Sequence, residues 1–252
     1  MPDTNNHPPH RFSELDACRG IAVMMMVIFH LIFDISFFSL YPVPVSTGFW
    51  RFFGYATAVL FVAIAGVAVS IRSKQSIATD YREITQGLFR RGLSLLMIGF
   101  CITVVTWQYL QGSGYVLFGI LHLIGLSTMI APLFLRMKMG NLILGVSIIT
   151  AGLSISLPDG PLWLSWIGIH PIGFYSVDYT PLIPWLGVYL IGMGIGFWLY
   201  PDGKQRFSIS DHWSQILRIP ALPGRHSLMI YLVHQPILLL LLALWTGSIP
   251  GM

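Results

Sequence analysis

Long apolar runs broken by short polar loops dominate this chain. Seven runs are long enough to cross a bilayer, at about residues 18–40, 49–71, 86–106, 115–135, 142–157, 182–200 and 227–245. A spanning helix needs about 20 mostly apolar residues to cross roughly 30 Å of hydrocarbon. The fifth run is the shortest. The pattern predicts an all-α fold, a polytopic integral membrane helix bundle of about seven transmembrane helices. It reads as a single domain over 1–252 with a polar N-terminal tail over 1–14, and no internal repeat of the kind found in many transporters stands out. The tail is rich in Pro and His, and the apolar run after it is too long for the core of a signal peptide. The first span is therefore expected to serve as its own insertion signal.

Composition agrees with that pattern. Of 252 residues, 55% are apolar and only 10% charged, and the mean hydropathy of +0.72 lies outside the range of soluble domains. The charges add an orientation. Of the 14 Lys and Arg residues, all but Arg51 fall on the N-terminal flank or in alternate loops: Arg11 and Arg19; Arg72, Lys74, Arg82, Arg90 and Arg91; Arg136 and Lys138; Lys204, Arg206, Arg218 and Arg225. The positive-inside rule then predicts a multi-pass protein of the cell inner (cytoplasmic) membrane, N-terminus in the cytoplasm and C-terminus outside. The net charge of +4 and pI near 9.2 are explained by this signal and by anionic lipid of the bilayer, so nucleic acid is not an expected partner. Two cysteines, Cys18 and Cys101, make no zinc-like spacing with histidine, and no metal is expected. Oligomers are compatible with the sequence, which does not specify one.

Against this apolar background the first span is unusual in carrying Arg19, His30 and Asp34. Eleven residues are nearly a whole number of helical turns, so Arg19 and His30 share a stripe about 16 Å apart along the axis, with Asp34 one turn beyond. Charges in hydrocarbon cost roughly 2.5–3.5 kcal/mol each even on lenient scales, which makes such a stripe a candidate working surface. The bland alternative is Arg19 reaching to the interface and His30 hydrogen-bonded to Asp34 as structural glue. A second alternative is a proton or substrate path in a small transporter or channel.

A histidine with a carboxylate one turn away is half of a general-base arrangement, the acid fixing tautomer and orientation while the imidazole takes a proton. No serine or cysteine nucleophile accompanies the pair at a telling spacing, which favours direct transfer to an acceptor. Catalytic roles are thus expected for His30 and Asp34. Arg19, near the cytoplasmic surface, together with Arg90 and Arg91 on that side, would contact an anionic donor such as a coenzyme A phosphate, since guanidinium forks suit phosphate. Two further histidines sit at membrane depth: His122 in the fourth span, and His234 in the seventh, followed by Gln235 and by Pro236, which frees a backbone carbonyl. The outer segment over 158–181 holds Trp163, Trp166, His170, Phe174, Tyr175, Asp178 and Tyr179 but no Lys or Arg. Those rings suit either an interfacial belt or a sugar-binding lip. His122, Asp178, Tyr179, His234 and Gln235 are accordingly candidate substrate contacts.

Five stretches carry a resemblance. Leu15-Asp16-Ala17-Cys18-Arg19-Gly20-Ile21-Ala22 with His30 is similar to the opening of the acyltransferase-three O-acyltransferases, within the transmembrane acyltransferase superfamily. The continuation Phe29-His30-Leu31-Ile32-Phe33-Asp34, then Phe118-Gly119-Ile120-Leu121-His122, then the stretch from Tyr175 to Trp185, then the stretch from Gly224 to Pro236, resembles the bacterial relatives of heparan-α-glucosaminide N-acetyltransferase. The likeness covers about Arg11 to Leu242. It implies a membrane acyltransferase moving an acetyl group from cytosolic acetyl-CoA, a co-substrate, across the bilayer to a sugar amine or hydroxyl of a glycan. One departure is visible. The lysosomal pattern has asparagine where this chain has His30 and a histidine farther along, whereas no histidine lies between His30 and His122 here.

Overall fold

A computed structural model describes residues 12–75, 80–112, 114–155, 158–208 and 210–247. The start of the polar tail, with Arg11, lies outside the described residues. Among those residues the chain forms eight α-helices: α1 (Ser13–Phe37), α2 (Gly48–Gln75), α3 (Tyr81–Tyr109), α4 (Ile120–Ile130), α5 (Gly140–Ser154), α6 (Leu182–Leu199), α7 (Asp211–Arg225) and α8 (Ser227–Thr246). Six segments are long and apolar enough to cross a membrane: α1, α2, α3, α6, α8, and α4 together with the 3-10 turn that extends it to Met137. The protein is therefore an all-α, multi-pass membrane protein of about seven membrane helices. The run expected as the fifth span is the short apolar helix α5 of 15 residues. At 1.5 Å per residue it is roughly 22 Å long, less than the bilayer core.

Contacts group the described residues into two compact units, those within 1–60 and 208–252, and those within 61–207. In the first, α1 buries Asp16, Ala17, Gly20, Val23, Met26 and Asp34, mostly three or four apart on one face, as a 3.6-residue period requires. The N-terminal part of that face packs on α7 so closely that a methyl at Gly20 would run into the Pro220 carbonyl oxygen. A methyl at Gly224 would run into that of Asp16. Two glycines thus let two helix backbones touch. Helix α7 departs from the sequence reading, which took this stretch for a plain basic loop. It contains Pro220 and Pro223, residues that ordinarily end helices, and it is too polar to register as a span. What keeps it helical is packing: Ala221 and Gly224 are buried while the opposite side stays open.

The second unit is built from the later part of α2 and from α3 to α6. Here too small residues set the approach, Gly192 against the Ala63 carbonyl and Gly66 against that of Tyr189. Such close approach suits helices in lipid, which lack a hydrophobic drive toward one another and associate through backbone proximity. Helix α4 begins at Ile120 instead of near residue 115, because the chain before it is extended. Phe118 forms a parallel bridge with Tyr179, and Thr180 N–H donates to the Phe118 carbonyl at 2.9 Å. That bridge straps the segment over 158–181 onto the N-terminus of α4.

Candidate functional site

In the first unit the charged stripe of α1 meets α8. Asp34 is 2% exposed, and the Gln235 amide Nε2 donates to both of its carboxylate oxygens at 2.9 Å. A charged acceptor taken out of water demands such donors. His30 lies one turn earlier, and its ring is edge-on to that of His234 with centroids 4.8 Å apart. Each imidazole is oriented by backbone: His30 Nδ1 donates to the Met26 carbonyl at 2.9 Å, and His234 Nδ1 donates to the Tyr231 carbonyl at 2.6 Å. Because a carbonyl can only accept, each Nδ1 carries the proton, and in the neutral ring each Nε2 carries the lone pair. His234 is buried, and among the described residues neither its Nε2 nor Gln235 Oε1 has a hydrogen-bond partner.

This arrangement refines the expected His–Asp pair. The orienting acceptor for His30 is the Met26 carbonyl of the preceding turn, reached without leaving the helix, while Asp34 is held by Gln235. Asp34 follows His30 by one helical turn on the same face of α1. His30, Asp34, His234 and Gln235, which the sequence singles out separately, are brought into one cluster. Chemically it offers two basic imidazole nitrogens, an amide acceptor and a fixed carboxylate.

At the other end of α1, the Arg19 Nη1 donates to Asp16 Oδ1 at 2.9 Å, and Arg225 Nε stands 3.9 Å from Asp16 Oδ2. Two guanidiniums, from α1 and from α7, thus gather on one buried carboxylate. Arg225 escaped the sequence reading because it stands out there only as a topology charge. Arg90 and Arg91 belong to the second unit, exposed on α3, where the charge of Arg91 interacts with that of Arg72.

The remaining candidates, all in the second unit, are engaged in holding it together. His122 Nδ1 accepts from the Gly119 N–H at 3.2 Å, so its Nε2 bears the proton and donates to the Thr103 hydroxyl at 3.3 Å. Thr103 in turn donates to the Gly99 carbonyl. Both ring nitrogens are used, and the ring is flanked by Phe100 and Phe118 at 5.0 and 5.5 Å. The third residue of α4 reaching back to the helix N-cap is one half of a capping box. Asp178 Oδ2 accepts from the Ile120 N–H at 3.1 Å, an anion at a helix N-terminus where the backbone dipole favours it. Tyr179 donates its hydroxyl to the Ser165 carbonyl at 2.8 Å and closes a ring cluster with His170 and Phe174. Burial pushes its hydroxyl up to about 12, so it stays protonated.

His122 therefore supports stability. Replacing it with leucine keeps the volume but leaves the Gly119 N–H and the Thr103 hydroxyl short of a partner, a loss of about 1–3 kcal/mol. Thermal unfolding in detergent is expected to drop accordingly, while the KM for an acceptor, per folded molecule, stays unchanged. A shifted KM at unchanged stability would return His122 to the substrate site.

No curated protein and no solved structure matches the chain. A family match covers residues 11–236, taking in α1 to the middle of α8 and so both ends of the charged stripe, the histidine cluster and the strapped segment over 158–181. Its description is "Heparan-alpha-glucosaminide N-acetyltransferase, catalytic". Matched across about nine-tenths of its length, in agreement with the motifs and the membrane fold, the chain belongs to this family of membrane transferases.

Proposed function

We propose that this protein transfers an acetyl group from cytosolic acetyl-CoA to an amine or hydroxyl of an envelope glycan, reached from the outer side of the cell inner membrane. The observation that carries the reading is the cluster of His30, His234, Asp34 and Gln235, in which two backbone-oriented imidazoles present Nε2 beside a fixed carboxylate. His30 Nε2 takes the proton of the acceptor's amine or hydroxyl as that atom bonds to the thioester carbonyl carbon. The imidazolium so formed is stabilised by Asp34. Collapse of the tetrahedral intermediate breaks the carbon–sulfur bond, and the departing thiolate takes the proton from His30. His234 Nε2 and Gln235 Oε1 accept hydrogen bonds from the acceptor. Arg19, with Arg225 beside it, holds a donor phosphate.

The test uses the purified protein in vesicles with acetyl-CoA and an amino-sugar oligosaccharide. Release of free thiol that depends on both is expected, and thiol release without transfer to sugar, or none at all, would refute the acceptor class or the activity. Arg19→Ala is expected to weaken coenzyme A binding by about tenfold or more, equal to about 1.4 kcal/mol, with Arg51→Ala close to unchanged. Equal losses in the two variants would remove Arg19 from the donor site.

The orientation has its own check. In a background lacking Cys18 and Cys101, single cysteines at Arg82 and Lys204 are expected to react only from the cytoplasm and one at Trp163 only from outside, following the division of basic residues. Reaction of the Trp163 position from the cytoplasm would reverse the assignment.

A further inference from the structure

Helix α7 is amphipathic with two different faces. Leu217, Ala221 and Gly224, spaced four and three apart, form the side turned toward the rest of its unit, and Ala221 is 1% exposed. Ile216, Ile219 and Leu222, spaced three apart, occupy the other side and are 45%, 77% and 62% exposed, with Trp213, at 59%, on its margin. Arg218 and Arg225 flank that open face, and together with Ile219 and Leu222 they frame an open hollow of about 420 Å³. From Trp213 to Arg225 the helix has no acidic residue.

Such a helix is too short, too polar and too proline-bearing to span a membrane, yet it leaves large apolar side chains uncovered. Its place in the chain narrows what can cover them. Leu199 ends one membrane-spanning helix and Ser227 begins another, so the segment is tethered to the bilayer at both ends. Its C-terminal half packs on the first turns of α1, at Asp16 and Gly20, where that spanning helix starts. A basic amphipathic helix at that depth has the composition of an interfacial element, whose apolar side sinks among acyl chains while guanidiniums meet lipid phosphates.

We infer that α7 lies in the membrane interface on the side of the basic loops, with Ile216, Ile219 and Leu222 among the acyl chains and Arg218 on the phosphates of anionic phospholipid. Charge complementarity selects anionic lipid over zwitterionic. The helix thereby anchors the α1 end that carries Arg19 and Asp16 at a fixed depth.

The experiment uses full-length protein with Cys18→Ser and Cys101→Ser, a bimane label at Ile219→Cys, and vesicles of phosphatidylcholine and phosphatidylglycerol with iodide on both sides. Strong quenching by lipid carrying a nitroxide near the headgroup, and little by iodide, is expected at position 219, with the reverse at an exposed Lys204→Cys control. The quencher on phosphatidylglycerol is expected to act in preference to the same quencher on phosphatidylcholine, and Arg218→Gln to cut that preference by about fivefold. Quenching by iodide as strong as at Lys204→Cys would overturn the inference. So would protection from iodide without lipid quenching, which would mean that a protein or a second copy of this chain covers the face. No step of the readout depends on acetyl transfer, so its outcome is separate from that of the proposed reaction.

Discussion

His30→Asn is expected to lower acetyl transfer by roughly 10²–10⁴-fold while leaving the fold and coenzyme A binding nearly intact, because a positioned general base contributes about that much to rate. The geometry makes the expectation specific. The Met26 carbonyl fixes which nitrogen of His30 is basic, and asparagine can occupy the space without offering a basic atom. Asp34→Asn acts in the same direction, because the imidazolium loses its nearby carboxylate, and it leaves donor binding alone. If the cluster were only structural, removing it would cost a membrane hydrogen bond worth around 0.6 kcal/mol, and activity would follow protein yield. Turnover of a well-folded His30→Asn protein at the wild-type rate would end the mechanism.

Gly20→Ala is expected to produce the largest loss of stability, together with Gly224→Ala. At each position the new methyl would meet the backbone of the facing helix, the Pro220 and Asp16 carbonyls respectively, and backbone cannot rotate away as a side chain can. Overpacking of this kind costs typically about 1–3 kcal/mol and more where nothing yields. Gly87→Ala in α3 is the control. Its methyl would have 3.6 Å to the nearest atom, the Nη2 of Arg72, so it should be neutral or stabilising by about 0.5–1 kcal/mol. Unfolding of the three variants in detergent, followed by tryptophan fluorescence, compares them directly. A Gly20→Ala protein as stable as Gly87→Ala would mean that α1 and α7 are not in backbone contact.

How the site is assembled explains which parts of it were legible beforehand. The stripe of Arg19, His30 and Asp34 lies on one helix, so helical periodicity alone aligns it. The order of apolar runs likewise carries the membrane fold, since only helices satisfy backbone polar groups within lipid using bonds internal to each segment. The Gln235 amide on Asp34 joins residues 201 apart, and no local pattern encodes such a partner. His122 and Asp178 illustrate the converse. Each is a polar residue in a suggestive place, and each turns out to satisfy the free N–H groups at the start of α4, a demand that exists only once that helix begins at Ile120.

The sequence by itself determined that this protein crosses the membrane several times, that one span carries an ionisable stripe, and that its motifs are those of a membrane acetyltransferase family. All three follow from local periodicity, composition and short-range spacing. Only the tertiary structure decided that His234 and Gln235 join His30 and Asp34, that Arg225 joins Arg19 on Asp16, and that the basic stretch before α8 is a helix packed on α1. Those depend on backbones meeting at Gly20 and Gly224 and on buried polar groups finding partners far along the chain, conditions set by packing in three dimensions.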